Sequence, residues 1–144
     1  MSDWIRAMGL DYGTARIGVA VSDDIGLLAH PLETVPSADL ARAAARIAEL
    51  VCERRIDHLV VGLPLHMNGD EGDAVAGVRR FIGCLRPLLP ESIAIHEMDE
   101  RHTTRTAMDK LHAAGRNVKN SKKIIDQAAA IEILQDWLDL RSGY

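Results

Sequence analysis

The sequence predicts an α/β fold: a mixed five-stranded sheet, antiparallel over its first three strands and parallel thereafter, flanked by helices. Two observations carry this. Short apolar runs broken by turn residues fill the first 36 positions, and beyond them helical and strand periodicities alternate. A tight turn between two strands forces antiparallel pairing, whereas a strand–helix–strand succession needs crossovers and parallel pairing.

Ala7–Tyr12 and Arg16–Ser22 are apolar runs separated by Gly13-Thr14-Ala15, so they form a hairpin. Leu32–Val35 is a third short strand entered through Pro31 and broken by Pro36-Ser37, with Ser37 or Asp39 to cap the next helix. Leu40, Ala43, Ala44, Ile47, Leu50 and Val51 recur at helical spacing. His58–Leu63 is a near-continuous apolar run, the mark of a strand buried on both faces. Val75, Val78, Ile82 and Leu85 define a second amphipathic helix, between Asn68-Gly69-Asp70 and Pro87. Ser92–Glu97 is the fifth strand. Thr103 or Thr104 caps a helix reaching about Ala114, which Gly115 stops. Arg116–Lys123 has almost no apolar content and reads as a basic loop, and Ile124–Leu140 is the last helix.

At 144 residues, 47% hydrophobic and 26% charged, the chain has the size and composition of one globular domain spanning 1–144. No apolar run reaches the ~18–20 residues of a membrane span, and the first residues lack an apolar signal core. Cys52 and Cys84 sit in no metal-ligand spacing, which fits a reducing, cytoplasmic location. The net charge of −4 is unevenly spread. Between Arg101 and Lys123 seven basic residues face one acid, a local charge of +6, so the remainder carries −10. A polyanion responds to that local potential rather than to the total.

Four acids stand where elements converge: Asp11 near the end of the first strand, Asp99 and Glu100 after the last, and Asp126 at the start of the final helix. Gly9 and Gly13 share the side of the pleat that bears Asp11, which predicts open space around that carboxylate. A hydrogen bond to the Gly13-Thr14 turn is the structural alternative for Asp11. Asp126 shares a helix face with Ala129, Ala130, Ile133 and Trp137, an apolar stripe expected to meet the core. Clustered carboxylates repel one another, and a divalent cation removes that cost. Oxygen ligands suit Mg²⁺ or Mn²⁺, which at such a site promote phosphodiester hydrolysis. A neighbouring basic segment would hold the polyanion.

The segments GLDYGTARIGVAVSD, VVGLPLHMNG, MDERHTT and KKIIDQAAAIEILQDWL, in this order, resemble the YqgF (RuvX) family over about Met8 to Leu138. That resemblance implies an RNase H-like fold with catalytic, metal-binding acids at Asp11, Glu100 and Asp126. It also implies a nuclease that matures the 5′ end of pre-16S rRNA; an older family label is Holliday junction resolvase. The chain departs from the family's usual pattern at His66 and His102.

Nucleic-acid contacts are expected from Arg16, Arg101, Thr103, Thr104, Lys119, Lys122 and Lys123. The partner is then precursor rRNA or branched DNA, bound by a monomer or homodimer with no membrane involved. Aromatic residues are few, so contacts led by backbone and shape are expected over a stacking platform. Two other classes remain open. Asp11–Thr14 also resembles the phosphate hairpin of sugar kinases and actin-like ATPases, though those proteins need a second lobe. A non-catalytic nucleic-acid-binding or ribosome-assembly module would keep the basic segment and dispense with the acids.

Overall fold

The computed structural model describes residues 5–64, 72–99 and 118–142, with side chains over 127–141 of the last stretch. The expected helix from Thr103 or Thr104 to Ala114 lies outside the described residues.

The hairpin forms where the sequence puts it. β1 (Ala7–Tyr12) and β2 (Arg16–Ser22) pair antiparallel, with Asp11 opposite Gly18. Gly13 makes the turn possible, because a Cβ there would stand 2.7 Å from the carbonyl oxygen of Arg16. The turn is stitched from outside by Ser37, whose hydroxyl donates to the Gly13 carbonyl and whose N–H donates to that of Ala15 at 3.0 Å.

β3 (Ala29–Pro36) is longer than the expected Leu32–Val35 and passes through Pro31. Val19 pairs with Glu33 but Ala20 with Pro31, so Leu32 is the extra residue of a bulge. Proline is tolerated there because β3 is the sheet's outermost strand and the bulge interrupts the ladder. α1 (Leu40–Glu53) follows, capped by Asp39, whose side chain accepts from the Arg42 N–H. Arg46 of α1 grips Glu33 of β3 with two 2.8 Å hydrogen bonds, which hold that carboxyl below its usual range.

β4 (His58–Leu63) pairs parallel to β1, and β5 (Ala94–Asp99) pairs parallel to β4. The sheet order is β3-β2-β1-β4-β5. α2 (Asp73–Leu85) lies between β4 and β5 in sequence and ends in a 3₁₀ turn, Arg86–Leu88. β5 starts two residues later than the expected Ser92–Glu97, because the chain is still turning at Ser92. Asp99 is therefore the last residue of the strand rather than a loop acid.

α3 (Val118–Ser142) is 25 residues long. It overturns the expectation of a loop through Lys123, since Val118–Lys123 is its first turn and a half. Val118 is the segment's one apolar residue, but Lys, Asn and Ser are ordinary helix formers at modest cost, and a helix needs an apolar stripe only where it meets a core.

The two sheet faces carry different layers. Met8, Leu10, Ile17, Val19, Leu59 and Val61 pack with α1 and α2 around Phe81. Ala7, Ala20 and Val60 pack under Ala130, Ile133, Leu134, Trp137 and Leu138 of α3. The α3 layer sits close because the sheet offers small residues. A Cβ on Gly9 would stand 2.7 Å from Leu134 Cβ and 2.8 Å from the Ala130 carbonyl oxygen. Gly9 thus does not leave open space beside Asp11, as its lack of a side chain suggested; the helix backbone fills it.

Near its other end α3 rests on a histidine pair. His58 Nδ1 and His96 Nε2 lie 3.0 Å apart at the starts of β4 and β5, and the Trp137 ring centroid is 5.2 Å and 5.0 Å from theirs. Arg141 caps that ring at 5.4 Å. Burial is the first cause that pushes both imidazoles below their ordinary value; for His58 the neighbouring His96 and then the Arg141 charge add to it and Asp57 opposes it, and for His96 the Arg141 charge adds to it.

Candidate active site

Alternation along β1 sends Met8, Leu10 and Tyr12 to the α1/α2 side, and Gly9 and Asp11 to the α3 side. Asp11 is half-buried near the carboxyl end of the strand. Its neighbours across the sheet are unusual. Gly18 pairs with it on β2, and continuing the register from Leu10–Val61 brings Gly62 beside it on β4. Both glycines are buried. Neither directly paired position therefore places a side chain opposite the carboxylate. Sequence spacing alone did not single these two glycines out.

The path of α3 is fixed at several points. Ala130 and Leu134 cover Gly9, Gln135 accepts from the Ala29 N–H at 2.9 Å and donates to the Leu27 carbonyl at 2.8 Å, and Gln127 borders Thr34 and Pro36. The helix thus runs antiparallel to β1 and β3. Asp126 precedes Ala130 by four residues, ~6 Å of helix rise. Asp11 follows Gly9 by two residues, ~6.6 Å of strand. The backbone turn that carries Asp126 consequently runs over the end of β1 where Asp11 stands. Val118 lies ~18 Å back from Ala130, so the turns bearing Lys119, Lys122 and Lys123 continue past the carboxyl edge of β1.

On β5, His96 and Met98 face α3, whereas Glu97 faces α2 and its carboxylate lies 3.7 Å from Arg79 Nε. Asp99 shares the parity of Glu97 and so belongs to the α2 side of the sheet. Glu100, Arg101, Thr103 and Thr104 lie outside the described residues, as do His66 and His102. The side chains of Lys119, Lys122, Lys123 and Asp126 likewise lie outside them. Arg16 opens β2 on the α3 side and lines a groove of about 500 Å³ with Ala15, Thr34, Pro36 and Gln127. Among the described residues, no three His, Cys, Asp or Glu side chains gather into a metal-binding group, and no helix is long and apolar enough to cross a membrane. Cys52 and Cys84 are free and exposed.

A hairpin-led mixed sheet in this order, helices on both faces and an acid near the end of its central strand define an RNase H-like fold. Over 96% of both chains it is similar to RuvC from Thermus thermophilus, solved in complex with a Holliday junction substrate, with a TM-score of 0.60 at 18% identity. The fowlpox virus resolvase, solved with Holliday junction DNA, gives a TM-score of 0.60 at 11% identity over 95% of this chain and 99% of that one. At such identities the likeness is one of fold. The chain belongs to the RuvX family: the family model, described as Holliday junction resolvase, matches residues 5–140. Relatives include proteins named "Putative pre-16S rRNA nuclease" from Nocardia farcinica, 43% identical over 96% of this chain and 79% of the relative, and from Chloroflexus aggregans, 44% identical over 93% of each.

Proposed function

We propose that this protein is a divalent-metal-dependent endonuclease that hydrolyses phosphodiester bonds in structured nucleic acid and matures the 5′ end of 16S rRNA from its precursor in the cytoplasm. The observation that carries the reading is the seating of α3 on Gly9, which runs the Asp126 turn over the end of β1 that bears Asp11. Asp126 belongs to the same helical stripe as Ala129, Ala130, Ile133 and Trp137, all buried against the sheet. Asp99 belongs to the α2 side of the sheet, away from α3, which supports taking Glu100 as the third acid, as the family resemblance implies.

Asp11, Glu100 and Asp126 would hold one or two Mg²⁺ or Mn²⁺ ions. The fit rests on hard carboxylate donors and on the glycines, Gly18 and Gly62, at the two positions paired with Asp11, which place no side chain directly opposite it. When bound, such an ion supplies Lewis-acid stabilisation of charge at the reacting phosphate. The chain's own groups position the substrate. Arg16 and the groove beside Gln127 receive the flanking backbone. Lys119, Lys122 and Lys123 on the first turns of α3, with Arg101, Thr103 and Thr104, add phosphate contacts and electrostatic attraction. All three acids come from one chain, so chemistry at one site needs no second copy.

The names of the relatives favour pre-rRNA as substrate, while the family description and the fold neighbours favour a DNA junction. Purified protein with Mg²⁺ should be offered a precursor 16S transcript and a four-way DNA junction side by side. We expect cleavage of the transcript near its mature 5′ end. Asp11→Asn, Glu100→Gln and Asp126→Asn should each abolish cleavage while leaving melting and RNA retention near parental. Parental cleavage rates in any of the three would overturn the acid assignment. Cutting confined to the junction would replace rRNA with branched DNA.

A further inference from the structure

On the α2 side of the sheet, one residue beyond Asp11, lies a second concavity of about 270 Å³. Its walls are Tyr12, Thr14, Pro64 and one face of α2, where Asp73, Gly77 and Arg80 recur at helical spacing. The charged residues of the lining are one aspartate and one arginine, alongside the hydroxyl-bearing Tyr12 and Thr14. We propose that this cleft is a nucleobase subsite that takes an unpaired guanine next to the scissile phosphate. The proposal rests on the nuclease reading above and adds a specificity element to it.

Several features point there. The volume lies near the small end of ligand pockets, ~300–1,000 Å³, which suits one base and not a duplex. Tyr12 is held rigid by stacking on Phe81, with ring centroids 5.3 Å apart and planes at 26°. Gly77 stands against that ring, where a Cβ would meet Tyr12 Cε2 at 3.6 Å, so the glycine widens the cleft without being needed for helix packing. The polar groups suit guanine's two edges. A carboxylate accepts from its N1–H and exocyclic amine, while a guanidinium donates to O6 and N7. Asp11 and Tyr12 are consecutive on β1 and face opposite sides of the sheet. A strand rounding the carboxyl edge through the Gly13-Thr14 turn would place a phosphate on one side and its neighbour's base on the other. Unpaired bases splayed into pockets are the usual means of reading RNA sequence.

The test is an amide NMR titration of the full chain with guanosine 5′-monophosphate, without divalent metal and therefore independent of cleavage. Saturable shifts are expected at Thr14, Ala74 and Gly77, with cytidine 5′-monophosphate at least tenfold weaker. Arg80→Gln should weaken binding roughly tenfold, and Gly77→Leu should abolish it while keeping a parental amide spectrum elsewhere. On a cleavable transcript, Gly77→Leu should raise KM with kcat retained. Absence of shifts at these amides, equal affinity for both nucleotides, or unaltered binding in folded Gly77→Leu would overturn the proposal. If no transcript is cut at all, the nuclease reading fails while the titration still decides the cleft.

Discussion

Gly9 on β1 and Leu134 on α3 meet so closely that a Cβ on the glycine would stand 2.7 Å from Leu134 Cβ. The neighbouring Ala130 carbonyl oxygen, at 2.8 Å from the same point, belongs to the helix backbone and cannot rotate away. Gly9→Ala must therefore lift the helix. Overpacking of this sort costs ~1–3 kcal/mol. Urea denaturation should show that loss, and cleavage should fall with it, because the same helix carries Asp126.

Gly83 gives the opposite sign. It sits inside α2, and a Cβ there meets nothing within 4 Å. Replacing a helix-interior glycine with alanine removes ~0.8–1 kcal/mol of propensity penalty. Gly83→Ala should raise the urea midpoint by the corresponding amount and leave cleavage at the parental rate.

Ser37 is the only fully buried polar side chain among the described residues, and its hydroxyl donates to the Gly13 carbonyl in the turn that follows Asp11. Ser37→Ala leaves that carbonyl without its donor. The expected loss is ~1–3 kcal/mol. Faster hydrogen exchange at the Gly13–Arg16 amides should accompany it, whereas exchange in α2 should stay parental.

The histidine pair under Trp137 makes stability depend on pH. Both imidazoles titrate below their ordinary value near 6.5, chiefly through burial, with His96 and then Arg141 adding to it for His58 and Arg141 for His96. The unfolded chain therefore takes up protons before the folded one does. Stability should be full above about pH 6.5 and should decline as the pH falls from there through the depressed folded-state values. Denaturant midpoints from pH 8 to 5 measure the slope. His58→Gln with His96→Gln should flatten it over this interval, leaving carboxylate titration at lower pH.

The legible parts of the fold were those with two agreeing local signals. The hairpin had apolar runs on both sides of a Gly-Thr turn, and its strands begin and end where expected. The stripe Ala129, Ala130, Ile133 and Trp137 was readable from spacing and is buried. Misreadings arose where a local signal was overruled by position in the sheet. Pro31 looked like a strand entrance, but an outer strand with a bulge accommodates it. A polar stretch looked like a loop at Val118–Lys123, but it extends a helix beyond the sheet it rests on. Gly9 looked like a void, although the paired alanines of α3 were a signal for close approach. Gly18 and Gly62 could not be placed beside Asp11 from the sequence because that nearness depends on register, which a single strand does not reveal. For the same reason the cleft around Tyr12 and Gly77 had no linear signature.

The α3 layer has a consequence for biosynthesis. Among the described residues, the helix that covers β1, β2 and β3 on this face of the sheet is α3, and it is translated after all five strands. A nascent chain that has just completed β5 has every strand available and Ala7, Ala20 and Val60 still bare. Ribosome-bound intermediates stalled at that point would offer a sticky surface to trigger-factor-like holdases, and closure would await the emergence of α3 from the exit tunnel.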